Sequence, residues 1–206
     1  MSKLNDAVKA VGQAVIDQKD FLTDLDRAIG DGDHGINMAR GFEAVFKKLD
    51  ALKDDADLSA VLKTVGMGLI SSVGGAAGPL YGTAFLRAAN AGKGKAELDA
   101  ATAKAMLDAA IKGIQDRGHA QKGEKTMLDA LIPADEALAA GIQAGKSAAE
   151  CLGDAVMAAE EGVEYTKTII ATKGRASYVG ERSIGHQDPG ATSSTIMLKA
   201  LYEYVK

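Results

Sequence analysis

Leu152-Gly153-Asp154-Ala155-Val156-Met157-Ala158-Ala159-Glu160-Glu161-Gly162-Val163-Glu164-Tyr165-Thr166-Lys167-Thr168-Ile169-Ile170 carries Leu152, Val156, Ala159, Val163, Thr166 and Ile170 at intervals of 4, 3, 4, 3 and 4. That spacing keeps one face of a 3.6-residue helix apolar over about five turns. A strand would need alternation, and this stretch has none. The same period recurs along the chain. Leu4, Val8, Val11 and Val15 mark a first helix, and Val61, Val65, Leu69 and Val73 form an i, i+4 row. Gly41 to Leu49, Leu80 to Asn90, Leu98 to Ile114, Met127 to Ile142 and Ala191 to Tyr204 add further helices. Arg117-Gly118 reads as a glycine C-cap, and Pro133 predicts a kink or a short break. The expectation is an all-α fold of about eight amphipathic helices with no strand.

Composition agrees. Of 206 residues, 38 are Ala and 24 Gly, while only 3 are Pro, none is Trp and aromatics make up 4%. Ala is the strongest helix former, and β-branched and aromatic residues favour strands. The length fits one domain, residues 1–206, with the polar 92–95 stretch as a turn rather than a linker. A net charge of −4 leaves no basic footprint for nucleic acid. No apolar run reaches the ~20 residues that span a bilayer. The amino terminus, Met1-Ser2-Lys3-Leu4-Asn5-Asp6, lacks the order of a signal peptide, and Cys151 is the lone cysteine. The expected compartment is a reducing cytoplasm.

Four segments interrupt the helical period: Asp26 to Asn37, Ser71 to Pro79, Gly118 to Met127 and Lys173 to Gly190. The first packs Asp26, Asp31 and Asp33 into eight positions, with Gly30, Gly32 and Gly35 interspersed. Like charges that close repel unless a cation sits between them, and Mg²⁺ prefers carboxylate oxygens. Gly30-x-Gly32-x-x-Gly35 has dinucleotide-fingerprint spacing, but no strand precedes it and acidic side chains would face the pyrophosphate. The calcium-loop pattern fails for want of its terminal Glu. In the second segment, small residues lead into a helix with Pro79 near its start, which exposes backbone N–H groups to an anion. The third nearly matches a P-loop, but Glu124 separates Gly123 from Lys125-Thr126. Thr126 reads as a helix cap. The fourth holds Arg175 and Arg182, both able to clamp phosphate oxygens in preference to the aspartates. His34, His119 and His186 have no flanking nucleophile motif, and Cys151 reads as core. An acidic metal site, an anion-binding helix start and a basic loop together suit phosphoryl transfer, which needs positioning and charge more than a protein nucleophile.

At this point the residues resemble a known family. Gly30-Asp31-Gly32-Asp33-His34-Gly35-x-Asn37-Met38, Ser71-Ser72-Val73-Gly74-Gly75, Gly78-Pro79-Leu80-Tyr81-Gly82-Thr83, Lys125-Thr126-Met127 and Gly174-Arg175-Ala176-Ser177-Tyr178 through Asp188-Pro189-Gly190-Ala191 are similar, in order, to the nucleotide-binding part of dihydroxyacetone kinases. A chain of this length is similar to the L subunit of the phosphotransferase-system-dependent members. The resemblance implies an antiparallel barrel of eight helices with a nucleotide site at one end. It implies ADP retained as a coenzyme through two Mg²⁺ ions, rephosphorylated by a phosphohistidine of the M subunit and passing the γ-phosphate to dihydroxyacetone on the K subunit. It implies Asp26, Asp31 and Asp33 as metal ligands. His34, Gly35, Ile36, Asn37, Ala76, Ala77, Gly118, Met127, Arg175, Asp188, Pro189 and Gly190 would hold the nucleotide, with Gly118 and Met127 bordering the adenine. Ala77 departs from a Ser found in many relatives. Fatty-acid kinases, with Thr at the position of His34, fit less well. Two alternatives remain beside this reading: a domain that exchanges ATP freely, and a non-catalytic helical protein whose Asp loop binds a structural cation.

Overall fold

Among the described residues, nine α-helices form where apolar residues recur at helical spacing and alanine fills the gaps. They are α1 Lys3–Asp17, α2 Lys19–Ile29, α3 His34–Asp50, α4 Leu58–Ser72, α5 Ala77–Ala91, α6 Ala100–Gly118, α7 Leu128–Gln143, α8 Ala148–Thr166 and α9 Pro189–Val205. A 3-10 segment, Arg175–Ser183, kinked at Gly180, lies between α8 and α9. The computed structural model describes residues 3–53, 56–95 and 98–206, so Met1 and Ser2 of the amino-terminal reading lie outside it. Among the described residues there is no strand, and no helix is long and apolar enough to cross a membrane.

Eight of the helices close a ring. α1 packs on α3, α3 on α4, and so on through α9, which returns to α1. Neighbours run antiparallel. An added Cβ at Gly141, late in α7, would meet Cys151, early in α8, while one at Gly162, late in α8, would meet Asp129 and Ala130, early in α7. Tyr204 Oη donates to the Lys3 carbonyl, which joins the end of α9 to the start of α1. α2 stands outside the ring, against α3, α9 and the 3-10 segment. The ring encloses Val15, Phe42, Val45, Val61, Leu69, Ile114 and Leu128, all almost without solvent contact. Each such burial stabilises by about 1.5–3 kcal/mol. Between α7, α8 and α9 the filling is smaller: Ala130, Ala134, Cys151, Ala155 and Ala159.

Several expectations need correction. The helix from Leu152 stops at Thr166 and leaves Ile170 exposed in the following loop. Thr166 Oγ1 donates to the Val163 carbonyl and accepts the Asp188 N–H, so its hydroxyl turns the chain toward α9. Pro133 breaks nothing: α7 runs through it. The Asp129 carbonyl, whose usual donor proline lacks, is the atom against which Gly162 of α8 packs. Gly118 is the last residue of α6, and His119 takes the left-handed cap at φ 50°. Finally, α2 was absent from the sequence reading, and Asp26 sits in its last turn rather than in a loop.

The antiparallel ring sorts the connections by end. The ends of α3, α5 and α7 and the starts of α4, α6 and α8 lie at one end, with the start of α1 and the end of α9. All four interrupting segments lie at the other.

Candidate functional site

The acidic segment is shorter than its sequence suggests. Only Gly30 to Asp33 separate α2 from α3, and His34 to Asn37 form the first turn of α3. Asp26 shapes this turn: its Oδ2 accepts the N–H groups of Asp33 at 2.8 Å and His34 at 3.1 Å. A side chain at Gly30 would start 2.0 Å from Asp26 Oδ1, and Gly32 sits at φ +72°. Both glycines are therefore required for the turn to close. The result brings one carboxylate oxygen each from Asp26, Asp31 and Asp33 to within 4.8 Å of one another. Oxygen donors at that spacing suit a hard divalent cation.

His34 lies behind the carboxylates. Its Nε2 pairs with Ser193 Oγ at 2.9 Å, and Ser193 Oγ lies 2.7 Å from Tyr81 Oη. Tyr81 Oη also reaches Ser194 Oγ at 2.8 Å and donates to the Gly190 carbonyl at 3.0 Å. This network ties α3, α5 and α9 together at the site. Burial pushes the Tyr81 hydroxyl up to about 12 and holds the His34 imidazole below its usual value, against the opposing pull of Asp26 and Asp33. Asn37 Oδ1 accepts from Arg40 Nη2 at 2.5 Å, and Arg40 Nε donates to the Ser72 carbonyl at 3.0 Å, so α3 grips the end of α4.

The start of α5 at Ala77 has no side-chain cap from Ala76, and its first N–H groups and helix dipole favour an anion. Three other helix starts at this end are held by side chains: Asp26 Oδ2 takes the His34 N–H of α3, Thr126 Oγ1 accepts the Leu128 N–H of α7 at 3.2 Å, as expected of a helix cap, and Asp188 Oδ2 accepts the Ala191 N–H of α9 at 2.7 Å. Asp188 is buried, and burial lifts its carboxyl to about 7, with Asp129 adding to the rise and Lys125 opposing it.

A cavity of ≈ 450 Å³ joins these parts. Of the residues expected at the site, Asp26, Asp31, Asp33, His34, Asn37, Ala76, Ala77, Gly118, Met127, Arg175, Asp188, Pro189 and Gly190 line it. Gly35 and Ile36 do not. Gly35 is packed on α2, where a Cβ would fall 1.9 Å from the Lys19 carbonyl, and Ile36 points to solvent. Arg182 is exposed and away from the cavity wall. Arg175 departs from its expected pairing as well: its Nε lies 2.7 Å from Asp31 Oδ2, so the guanidinium offsets a carboxylate. Sequence reasoning missed Ile29, Leu80, Ile114, Arg117, Lys125 and Lys173 as lining residues. Lys125 and Thr126 stood in the quoted motif, but Arg117 and Lys173 carry no signal beyond their charge. A wider groove outside α6 contains Lys112 and Lys122, already paired with Asp116 and Glu136.

Residues 28–203 match the model of the DAK2 domain. The chain belongs to this family. It is 47% identical over 184 residues to the PEP-dependent dihydroxyacetone kinase, ADP-binding subunit DhaL, of Escherichia coli (strain K12), covering 89% of this chain and 87% of that protein. It is 48% identical over 192 residues to PEP-dependent dihydroxyacetone kinase 1, ADP-binding subunit DhaL, of Listeria innocua, covering 93% and 90%. The dihydroxyacetone kinase of C. freundii, solved in complex with AMP-PNP and Mg²⁺, superposes with a TM-score of 0.74 at 26% identity. That match covers 97% of this chain but spans only 33% of the C. freundii chain. The DAK2 domain thus carries its acidic turn, the open start of α5 and its Arg175 loop at one end of the ring.

Proposed function

We infer that this chain is the ADP-binding subunit of a PEP-dependent dihydroxyacetone kinase, a phosphotransferase active together with partner subunits. The observation that carries this is the meeting, in one cavity, of three carboxylates and the uncapped start of α5. Neither half makes sense alone: the carboxylates need a cation, and the helix start needs an anion. A metal-bound nucleoside diphosphate supplies both, and kinship to subunits named for ADP binding supports the same ligand.

Asp26, Asp31 and Asp33 would hold Mg²⁺, as two ions. Mg²⁺–ADP held there would supply the phosphoryl carrier between a phosphohistidine of the M subunit and dihydroxyacetone on the K subunit. The chain's own residues position and shield. The Ala76-Ala77 backbone meets phosphate oxygens, so Ala77 serves without a hydroxyl. His34 and Asn37 are held at the same place by Ser193 and Arg40. Arg175, beside Asp31, is within reach of both carboxylate and phosphate. Gly118 and Met127 border the adenine, and the Asp188-Pro189-Gly190 turn closes the opposite wall. Residues 1–206 act as a single nucleotide-binding unit in the cytoplasm, where the free, buried Cys151 is at home.

Native mass spectrometry of the purified chain tests the reading, with ADP and Mg²⁺ expected to copurify in stoichiometric amount. Release of no adenine nucleotide on denaturation sinks it. Labelled ATP separates the coenzyme from an exchanging kinase domain: slow exchange of bound ADP is expected, and rapid exchange would overturn retention.

A further inference from the structure

Lys125 is among the largest fully buried side chains, with 1% of its surface exposed, yet it carries an amine. Its Nζ donates to the carbonyls of Thr166, His186 at 2.5 Å and Ile169 at 3.4 Å. The first is the last residue of α8, and His186 stands two residues before Asp188. Each backbone carbonyl takes the lysine as a donor across the gap between two loops. Around it, Asp129 accepts the N–H groups of Gly123 at 2.5 Å and Thr126 at 2.8 Å, which folds the 119–127 loop onto the start of α7. The Asp188 N–H donates to Thr166 Oγ1 at 2.9 Å, and an added Cβ on Gly190 would lie 3.5 Å from Met127 N. The two loops therefore meet along one buried polar seam centred on the Lys125 ammonium.

We propose that Lys125 is a positioning residue for the nucleotide: its ammonium clamps the loop ending at Met127 to the loop leading into Asp188-Pro189-Gly190, so both walls close on the ligand as one body. The proposal rests on the nucleotide reading above. It needs no contact between Lys125 and the phosphates. A buried ammonium with three carbonyl partners gains nothing from displacing one, since each lost charged hydrogen bond is costly.

The test uses the full chain and two variants. Lys125→Met removes the ammonium at similar length, and Thr166→Val keeps the lysine but removes the hydroxyl that accepts the Asp188 N–H and donates to the Val163 carbonyl. ADP affinity is measured by calorimetry with Mg²⁺. Mn²⁺ affinity at the aspartates is measured without nucleotide by proton relaxation, and backbone hydrogen exchange is followed by mass spectrometry. Lys125→Met is expected to weaken ADP about thirtyfold while leaving Mn²⁺ binding within about twofold, with faster exchange confined to 119–127 and 167–188. Thr166→Val is expected to show the same pattern at about threefold. ADP affinity within about twofold of the parent in a folded Lys125→Met overturns the clamp. Equal weakening of ADP and Mn²⁺ also overturns it, because the lysine is then merely structural. Where Lys125→Met fails to fold, Thr166→Val decides: an unchanged ADP affinity overturns the proposal. Failure of the parent chain itself to bind ADP sinks the nucleotide reading, and the clamp with it, which a defect confined to the variants does not.

Discussion

The two ends of the helical ring solve the same problem in opposite ways. At the plain end, each helix that begins there after a loop is closed by a side chain. Asp57 accepts the Ala60 N–H at 2.7 Å, Asp99 accepts the Thr102 N–H at 2.7 Å, and Ser147 and Glu150 form a reciprocal capping box. At the site end, α5 begins with no side-chain cap, while the starts of α3 and α7 borrow an acceptor from a neighbouring segment, Asp26 for the His34 N–H and Thr126 for the Leu128 N–H. An uncapped start forgoes about 1 kcal/mol. The difference teaches where binding energy is reserved: the donors that α5 leaves open are donors available to phosphate. The same end carries the carboxylate trio, six positive-φ glycines at Gly32, Gly75, Gly123, Gly174, Gly180 and Gly185, and the buried Lys125 seam.

The contrast breaks hardest at the carboxylates. Asp31→Ala is expected to lower Mg²⁺–ADP affinity roughly a hundredfold by calorimetry, the order of a lost charged contact of about 3 kcal/mol. Its melting temperature should hold, since removing one of three clustered charges relieves repulsion. A collapse in melting temperature with ADP binding intact would instead favour a structural cation site. Arg175→Ala comes next. Its side chain is largely exposed, so solvent screens it, and roughly tenfold faster ADP loss on gel filtration is the expected outcome. Unchanged retention removes Arg175 from the site.

How much of this division was legible beforehand depends on the range of each signal. Apolar periodicity is local, and it marked every helix of the ring. It overran at Ile170 because the chain beyond Thr166 keeps a four-residue spacing that no helix uses. It missed α2, where Lys19, Asp20, Asp24, Asp26 and Arg27 crowd a helix whose buried residues are few because it lies outside the ring. At the site, acidic clustering and family motifs placed most lining residues. Gly35 lies outside the cavity lining and packs against Lys19 and Thr23. The role of Lys125 was invisible: its partners are carbonyls 41 and 61 residues away, and a carbonyl has no sequence signature.

Acidity offers a third probe of the site end. The folded-state Asp188 carboxyl sits at about 7, above the ~4 of an unfolded aspartate. Between those values the folded chain holds a proton that the unfolded chain has released. The contribution of Asp188 to stability is therefore full below pH ~4, declines as pH rises toward 7 and levels beyond. Asp188→Asn keeps a good cap for α9 and loses the titration. Urea unfolding across pH 4 to 8 is expected to show this decline in the parent and a flatter profile in Asp188→Asn. Identical profiles would assign the slope to other groups.

The smallest effect lies at the plain end and sharpens the comparison from the opposite side. Ser147→Ala breaks the capping box of α8, which is worth about 1 kcal/mol, and a chain of this size then melts roughly 2–4 °C lower. ADP affinity should not move, because α8 begins at the far end of the ring. Ala76→Ser places the same kind of residue at the start of α5 but should add almost no stability. Ala76 holds φ −74°, ψ −26°, whereas Ser147 holds φ −63°, ψ 159°. Only the extended backbone of the latter aims a hydroxyl at the N–H groups two and three residues on. Differential scanning calorimetry of the two variants reads this directly. A clear rise in melting temperature for Ala76→Ser would mean that the α5 start can accept an ordinary cap, and that its open donors are not fixed by backbone shape.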